Sequence, residues 1–310
     1  MTAIRLTLVG LVLALPAVCD AVVIDDFSAG SITVVTNGVQ FNTATAAQTD
    51  LPTEHAVLGG RSFTAQQVSS VVSLSVDTTG DGRFIYEAPV SGINTSVRYL
   101  SSTPVDLTSG GANHIVLRFA SASFDPPPNR TPAAGFIDFN VSSLNGSRGA
   151  YLRINNSATP FNIAVPFSLL GAGSPTGFNP AQFRGLSFGT GNGNLDGTFV
   201  LDAIESAYIA PGDYNADGAI DAADYTVWRD FASATTHINR GDGNLDGAVN
   251  AADYEVWQSN YGGGPALITS VPEPATIALT LLGVVSTVGP MARSPRLSPT
   301  PADSPAHRCG

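Results

Sequence analysis

The chain has 310 residues, of which 14 are basic and 25 acidic, so its formal net charge is −11. This balance excludes a surface that follows nucleic-acid phosphates, because such a surface needs clustered basic residues. Hydrophobic residues make up 43% of the chain, which excludes disorder over most of its length. The 32 glycines and 21 prolines favour a turn-rich β protein over a helical bundle.

Residues 1–21 have the three parts of a secretory signal peptide. Arg5 supplies the positive start, residues 6–17 form an apolar run, and residues 19–21 lie where cleavage would fall. We therefore predict an exported protein, either secreted or associated with the cell envelope or surface. Both cysteines lie in the leader or at the penultimate position, so the mature body has no candidate disulfide.

Residues 22–209 alternate between apolar and polar side chains with a period of two. Clear examples are the segments 72–76, 115–119 and 199–204, and turn signals rich in glycine, proline and asparagine separate such runs. No helical period is apparent over eight or more residues. We predict an antiparallel β-sandwich or jelly roll of roughly ten short strands.

The two ends of this β region, residues 23–27 and 199–204, resemble the terminal strands of carbohydrate-binding-type jelly rolls. The resemblance implies that these strands lie together, and it implies glycan binding by the sandwich. It also implies a structural calcium ion that Asp25 or Asp26 would share with Asp202. The alternative for these carboxylates is simple solvation at strand ends.

One segment of the β region, residues 185–189, reads Gly-Leu-Ser-Phe-Gly and matches the pattern of a hydrolase nucleophile elbow. That elbow needs a helix directly after the serine and a later acid and histidine. Here a β-like run continues into glycine-rich turn residues instead. Since no other pattern indicates a catalytic pair, we predict that the protein is not an enzyme.

Residues 210–262 contain an internal repeat with a period of 29 residues, and they carry nine acidic and two basic side chains. Loop 1 (213–224, DYNADGAIDAAD) aligns with loop 2 (242–253, DGNLDGAVNAAD), and Trp228 aligns with Trp257. A charge of −7 over so short a segment favours a bound cation. The repeat is the strongest functional signal in the sequence.

The spacing within each loop suits Ca²⁺, because a twelve-residue loop presents oxygen ligands from positions 1, 3, 5, 7, 9 and 12. Gly218 and Gly247 lie at position 6, where the chain turns sharply. We predict two bound Ca²⁺ ions, one in each loop. The predicted ligands of loop 1 are Asp213, Asn215, Asp217, the carbonyl of Ala219, Asp221 and Asp224. Those of loop 2 are Asp242, Asn244, Asp246, the carbonyl of Ala248, Asn250 and Asp253.

A short helix is predicted after each loop, over residues 222–231 and 251–261, with Asp221 and Asn250 as N-caps. A loop followed by an exiting helix, present twice, resembles the type I dockerin module over residues 211–262. The resemblance implies calcium-dependent folding and docking of a partner, a cohesin-like domain or another surface protein. The predicted fold is therefore mainly β, a β-sandwich (22–209) followed by a small α-helical, EF-hand-like calcium-loop module (210–262).

Partner contacts of the dockerin family fall at loop positions 10 and 11. The candidate partner-binding residues are Ala222, Ala223, Ala251 and Ala252 at those positions, together with Trp228 and Trp257. For the tryptophans, packing of the two helices against each other is the alternative. Because dockerins are often attached to glycoside hydrolases, a polysaccharide-degrading glycosidase acting on O-glycosyl bonds is the alternative function. A third possible function is that of a module that only binds extracellular polysaccharide.

The C-terminal part divides into a linker (263–270), a sorting segment (271–293) and a tail predicted to be disordered (294–310). Residues 271–274 read Val-Pro-Glu-Pro and precede an apolar run of 14 residues and Arg293. This arrangement resembles the PEP-CTERM sorting signal of exported bacterial proteins. The resemblance implies cleavage by an exosortase-type enzyme. The apolar run is too short for a permanent membrane span but suits a transient anchor.

Overall fold

The computed structural model describes residues 21–37, 43–66, 71–80, 82–88, 94–125, 134–171, 177–190, 196–232 and 240–263. The predicted signal peptide, apart from its last residue, lies outside the described residues. So do residues 264–270 of the linker, the sorting segment and the tail. Contacts divide the chain into two compact units, Met1–Pro265 and Ala266–Gly310, and the second unit is wholly outside the described residues.

Thirteen strands form about half of the described chain and two short α-helices follow them, so the prediction of a mainly β fold is confirmed. The first seven are β1 (Val22–Asp25), β2 (Ile32–Val35), β3 (Thr43–Gln48), β4 (Arg61–Gln66), β5 (Ser73–Asp77), β6 (Arg83–Ala88) and β7 (Asn94–Val105). The others are β8 (His114–Phe124), β9 (Ala134–Ser143), β10 (Ser147–Asn155), β11 (Phe161–Pro166), β12 (Phe183–Thr190) and β13 (Gly197–Ala207).

These strands form two antiparallel sheets. A seven-stranded sheet has the order β11-β8-β13-β6-β5-β2, with β1 also paired to β13, and a six-stranded sheet has the order β10-β9-β12-β7-β4-β3. Val22 pairs with Ser206 and Asp25 with Ile204. The first and last strands of the sandwich therefore lie together, as the sequence predicted.

The core is built from the face that each sheet turns inward. In β7, for example, Thr95, Val97 and Tyr99 are buried while the residues between them are exposed or half-buried, which is the two-residue period read from the sequence. Phe84 lies at the centre of an aromatic cluster whose four other ring centroids are 5.4 to 6.0 Å away. Burial of each such side chain stabilises the fold by roughly 1.5–3 kcal/mol.

An ion pair lies inside the sandwich, between Asp25 at the end of β1 and Arg61 at the start of β4. Arg61 Nη1 is 2.8 Å from Asp25 Oδ1 and 2.5 Å from Oδ2, and both side chains are at most 1% exposed. Arg61 also donates to the carbonyls of Ala29 and Gly30 and to the side chain of Gln48. The buried guanidinium thus joins β1, β3 and the segment after β1.

The carboxylates that were expected to share a calcium ion in the sandwich have other partners. Asp25 belongs to the internal ion pair, and Asp26 Oδ2 lies 2.9 Å from His55 Nδ1. Asp202 Oδ1 lies 3.1 Å from Arg83 Nε, and both of these side chains are more than a third exposed. The guanidinium group of Arg61 therefore balances the charge of Asp25, the buried carboxylate that was expected to share a metal ion.

Two helices follow the sandwich, α1 (Ala222–Phe231) and α2 (Ala251–Asn260). Asp221 and Asn250 cap them, since each accepts a hydrogen bond from the main-chain N–H two residues on, at 2.7 and 2.8 Å. The predicted helices and caps are confirmed to within one residue. Within the described ranges, no helix has both the length and the apolar character needed to span a membrane.

Candidate metal centre and docking surface

Loop 1 folds its main chain around two buried carboxylates. Asp213, at position 1, accepts hydrogen bonds from the N–H groups of positions 5 and 6, at 3.2 and 3.0 Å. Asp224, at position 12, accepts from the N–H groups of positions 3 and 9, both at 2.9 Å. Gly218 has φ +93°, a conformation that glycine adopts without the cost a side chain would bring.

Loop 2 repeats these four hydrogen bonds, and Asp253 accepts a further one from the N–H of Gly243 at 2.8 Å. Asp242 accepts from the N–H groups of positions 5 and 6, at 3.2 and 3.0 Å, and Asp253 accepts from positions 3 and 9, at 3.1 and 2.8 Å. Gly247 has φ +88°, and position 4 of both loops also has a positive φ, 55° and 61°. The sequence repeat is therefore a structural repeat as well.

The other predicted ligands are placed along the two loops by further main-chain contacts. The amide oxygen at position 3 accepts from the N–H of position 5, at 2.9 and 3.0 Å. The carboxylate at position 5 accepts from the N–H of position 7, at 2.9 Å in both loops. The predicted ligands at positions 3, 5, 7 and 9 are Asn215, Asp217, the carbonyl of Ala219 and Asp221 in loop 1. In loop 2 they are Asn244, Asp246, the carbonyl of Ala248 and Asn250.

Among the described residues, no three His, Cys, Asp or Glu side chains converge closely enough to hold a metal ion by themselves. The predicted ligand sets are of a different kind, because each also includes an asparagine amide oxygen and a main-chain carbonyl. Such mixed oxygen sets are typical of calcium loops.

Four carboxylates of the two loops are buried without a basic partner. Asp213, Asp224, Asp242 and Asp253 are 4, 0, 9 and 0% exposed, and the ion pairs found in the described part of the chain all lie outside the loops. Burial and the neighbouring carboxylates raise the pKa of Asp213 to about 6. Burial also raises the pKa values of Asp224 and Asp242. Buried charges in proteins are paired or bound to metal ions, so this distribution favours a cation in each loop.

The two tryptophans join each helix to the opposite loop. Trp228 Nε1 donates to the carbonyl of Asn250 at 2.8 Å, and Trp257 Nε1 donates to the carbonyl of Asp221 at 2.9 Å. A glycine directly before each loop lies close to the tryptophan of the other half. A Cβ added at Gly212 would be 3.2 Å from the Cα of Trp257, and one added at Gly241 would be 3.0 Å from the Cα of Trp228. Packing of the helices, the alternative reading of the tryptophans, is thus confirmed, and their partner contact stays a prediction.

Four rings between the helices form an open surface that we call the aromatic patch. Its members are Tyr225, Trp228, Tyr254 and Trp257. Neighbouring ring centroids lie 5.2 to 6.2 Å apart, and they line a shallow cavity of about 420 Å³. The four predicted contact alanines are exposed on the first turns of the same helices, but none of them lines the patch.

The helical module (211–263) packs against the sandwich through contacts that the sequence did not indicate. Asn162 Nδ2 in β11 donates to the main-chain carbonyls of Asn215 and Ala216, at 3.2 and 3.0 Å. The guanidinium group of Arg153 in β10 lies 5.7 Å from the ring centroid of Phe231, and that of Arg240 lies 5.7 Å from the ring centroid of Phe161 in β11. No periodicity or motif marks these residues, because their partners are remote in sequence.

The serine of the elbow-like segment lies on the outer face of the six-stranded sheet. Ser187 lies inside β12 and pairs with Arg98 of β7 and Asn140 of β9, so the segment 185–189 is not a strand-to-helix turn. Serine, asparagine and arginine side chains line a shallow cavity of about 430 Å³ on this face. Glycan binding and hydrolysis both stay predictions for the sandwich.

Comparisons with family models and with curated proteins gave no match. Among solved structures, the chain is similar to a family 11 carbohydrate-binding module from Clostridium thermocellum in complex with a β-1,3-1,4-mixed-linked tetrasaccharide. That match has 13% identity and a TM-score of 0.34, over 60% of this chain and 94% of the module. A family 30 carbohydrate-binding module from the same organism has 14% identity and a TM-score of 0.31, over 43% of this chain and 81% of the module.

An agarase is also similar, with 11% identity and a TM-score of 0.33, over 48% of this chain and 24% of the enzyme. All three TM-scores are below 0.5, so these similarities carry no conclusion about what this chain binds or does. The function has to be inferred from the chain's own residues.

Proposed function

We propose that the helical module binds two Ca²⁺ ions and serves as a dockerin-like docking module of an exported protein. The observation that carries the proposal is the pair of matching loops, each with two buried carboxylates and no basic partner. The signal peptide and the sorting segment, both read from the sequence, supply the proposed extracellular or cell-surface location.

Calcium suits the two loops better than other common metal ions. The loops offer only carboxylate, amide and main-chain oxygens, which are ligands for hard cations. Zinc prefers cysteine and histidine ligands, and neither loop contains one. Magnesium requires strict octahedral geometry and keeps several waters, whereas these loops provide six protein ligands each.

Calcium titration of the full chain is expected to give two sites. Asp224→Ala should remove the site in loop 1 and Asp253→Ala the site in loop 2, because each change deletes a carboxylate at position 12. Loop 1 is expected to be the tighter site, since it has four aspartate ligands and loop 2 has three. Isothermal titration calorimetry measures the number of sites and the affinity of each.

The matched control is Asp230→Ala, which removes an exposed carboxylate that pairs with Arg229 outside the loops. It should bind two ions like the unchanged chain. The proposal fails if the unchanged chain gives no heat with calcium, or if the two loop variants still take up two ions. If loop 2 bound calcium more tightly than loop 1, only the predicted order of the two affinities would be wrong.

For the partner, we propose a cohesin-like domain that covers the aromatic patch. Tyrosine and tryptophan are enriched among residues that dominate binding energy at protein interfaces. The exposed alanines on the first turns of the same two helices leave room for a partner's main chain. The patch lies on the two helices that the loops support, so docking should depend on calcium.

Tyr225→Ala and Tyr254→Ala are expected to weaken binding of a type I cohesin domain by about tenfold each or more. Both changes remove patch area while leaving the two tryptophan hydrogen bonds in place. Tyr208→Ala is the control, because Tyr208 is 57% exposed on the sandwich side of the chain. Surface plasmon resonance with and without EDTA measures the effect, and calcium-independent or unchanged binding would contradict it.

For the sandwich, we propose glycan binding, with polysaccharide hydrolysis as the alternative. The polar cavity on the outer face of the six-stranded sheet supports contact with sugar hydroxyls. Binding of a neutral β-glucan oligosaccharide without release of reducing ends would favour the first function, and release of reducing ends would favour the second.

A further inference from the structure

A polar cleft of about 480 Å³ lies where the sandwich meets the helical module, and we call it the junction cleft. The end of β10 and the connection to β11 form one wall, and α1 with Arg240 forms the other. A cleft of this volume lies within the range of small-molecule sites in proteins.

Three buried polar atoms without a hydrogen-bond partner border this cleft. They are Arg153 Nε, Asn155 Oδ1 and Arg240 Nε. Seven such side-chain atoms occur in the described part of the chain, so almost half of them are gathered here. Buried donors and acceptors are normally satisfied, and a charged donor without an acceptor is especially costly.

The junction cleft also has an excess of positive charge, in a chain whose net charge is −11. Arg240 lies 5.7 Å from the ring centroid of Phe161 and, with Arg153, borders Phe231. The one acidic residue in the lining, Asp230, already accepts hydrogen bonds from Arg229 at 2.8 and 3.1 Å. Burial lowers the pKa of Arg240 only to about 10, so its guanidinium group is charged at neutral pH.

We propose that the junction cleft binds an acidic sugar residue through its carboxylate or sulfate group. Guanidinium groups bind both anions with directed, charge-assisted hydrogen bonds. A sugar fits the rest of the lining, since Asn155 Oδ1 can accept from a hydroxyl and Phe161 offers an apolar surface. The hydroxyl groups of Ser157 and Thr159 also lie in the lining.

This inference goes beyond the proposed docking function, because the cleft is formed by the two parts of the chain together and contains no member of the aromatic patch. Of the predicted partner contacts, Ala223 alone lies in its lining. The cleft is also separate from the neutral-glycan surface of the six-stranded sheet. Its ligand is an acidic glycan, and the two sources of the anion, a uronate or a sulfate ester, are distinguished by the experiment.

The test is isothermal titration of the full chain in calcium buffer with a glucuronate-terminated, a sulfated and a neutral oligosaccharide of equal length. At least one acidic probe should bind more tightly than the neutral one. Arg153→Gln and Arg240→Gln should each weaken that binding by about tenfold or more. Arg148→Gln, a change on the same strand at an exposed residue that bonds only to the Ser147 carbonyl among the contacts found, should leave it unchanged.

Thermal unfolding of each variant shows whether it is folded, and Asn155→Ala serves as a second variant that leaves both charges in place. It should weaken the acidic sugar more than free sulfate, since it removes a hydroxyl partner. Equal binding of the three oligosaccharides, or unchanged binding by all cleft variants, would overturn the proposal. Inorganic sulfate that binds as tightly as the sulfated sugar would overturn the assignment to a sugar.

Discussion

Chelation of calcium from the full chain is expected to unfold the helical module and leave the sandwich folded. Each bound ion stabilises the folded state by about 4 kcal/mol when free calcium is about a thousandfold above the dissociation constant. Among the described residues of the module, the buried apolar cluster consists of Val227, Phe231 and Val249, with Tyr214 and Trp228 packed against it. So small a core contributes little stability. Without a cation, its four buried carboxylates repel each other.

Tryptophan fluorescence measures this effect directly, because both tryptophans of the chain lie in the two helices. EDTA should shift the emission to longer wavelength, and excess calcium should restore it. The strand signal in circular dichroism should not change. A double variant, Asp224→Ala with Asp253→Ala, should not respond to calcium. An unchanged emission maximum and melting temperature in EDTA would show that the loops do not need the ion.

Asp25→Asn is expected to destabilise the sandwich by about 3–5 kcal/mol, because it leaves the buried guanidinium of Arg61 without a counter-charge. Arg61 is held by five short contacts among β1, β3 and the segment after β1, so it cannot reach solvent without opening the sheet edge. Urea unfolding followed by the strand signal in circular dichroism gives the free energy.

The control for this prediction is Asp202→Asn, which breaks the exposed pair with Arg83. A solvent-exposed pair contributes about 0–1 kcal/mol, so the two aspartates should differ clearly. A second variant, Asp25→Leu with Arg61→Met, removes both charges and should recover part of the loss. An Asp25→Asn variant as stable as Asp202→Asn would mean that the buried pair is not a major constraint on the fold.

The helices and loops of the module could be predicted because their determinants are local. Asp221 and Asn250 stand directly before the helices that they cap, and Gly218 and Gly247 lie within the turns that need them. The two-residue period of the sandwich likewise reports only which face of a strand is buried. Such signals need no knowledge of how distant segments meet.

The features that escaped prediction depend on contacts between distant residues. Arg61 lies in an alternating run like any other strand residue, and its burial follows from pairing with Asp25, 36 positions away. Asn162 reaches the carbonyl of Asn215 across 53 positions. The sequence contains all four residues, but it does not show which polar groups will be enclosed when the sheets and the module pack together.

The crossed indole hydrogen bonds make the two halves of the module interdependent. Each tryptophan fixes the carbonyl at position 9 of the loop in the other half, and position 9 is also a proposed ligand. For the two proposed calcium sites, this link predicts that order gained at one site favours the other through the helix that carries the indole. Uptake should then be cooperative, and loss of one site should also weaken the remaining one.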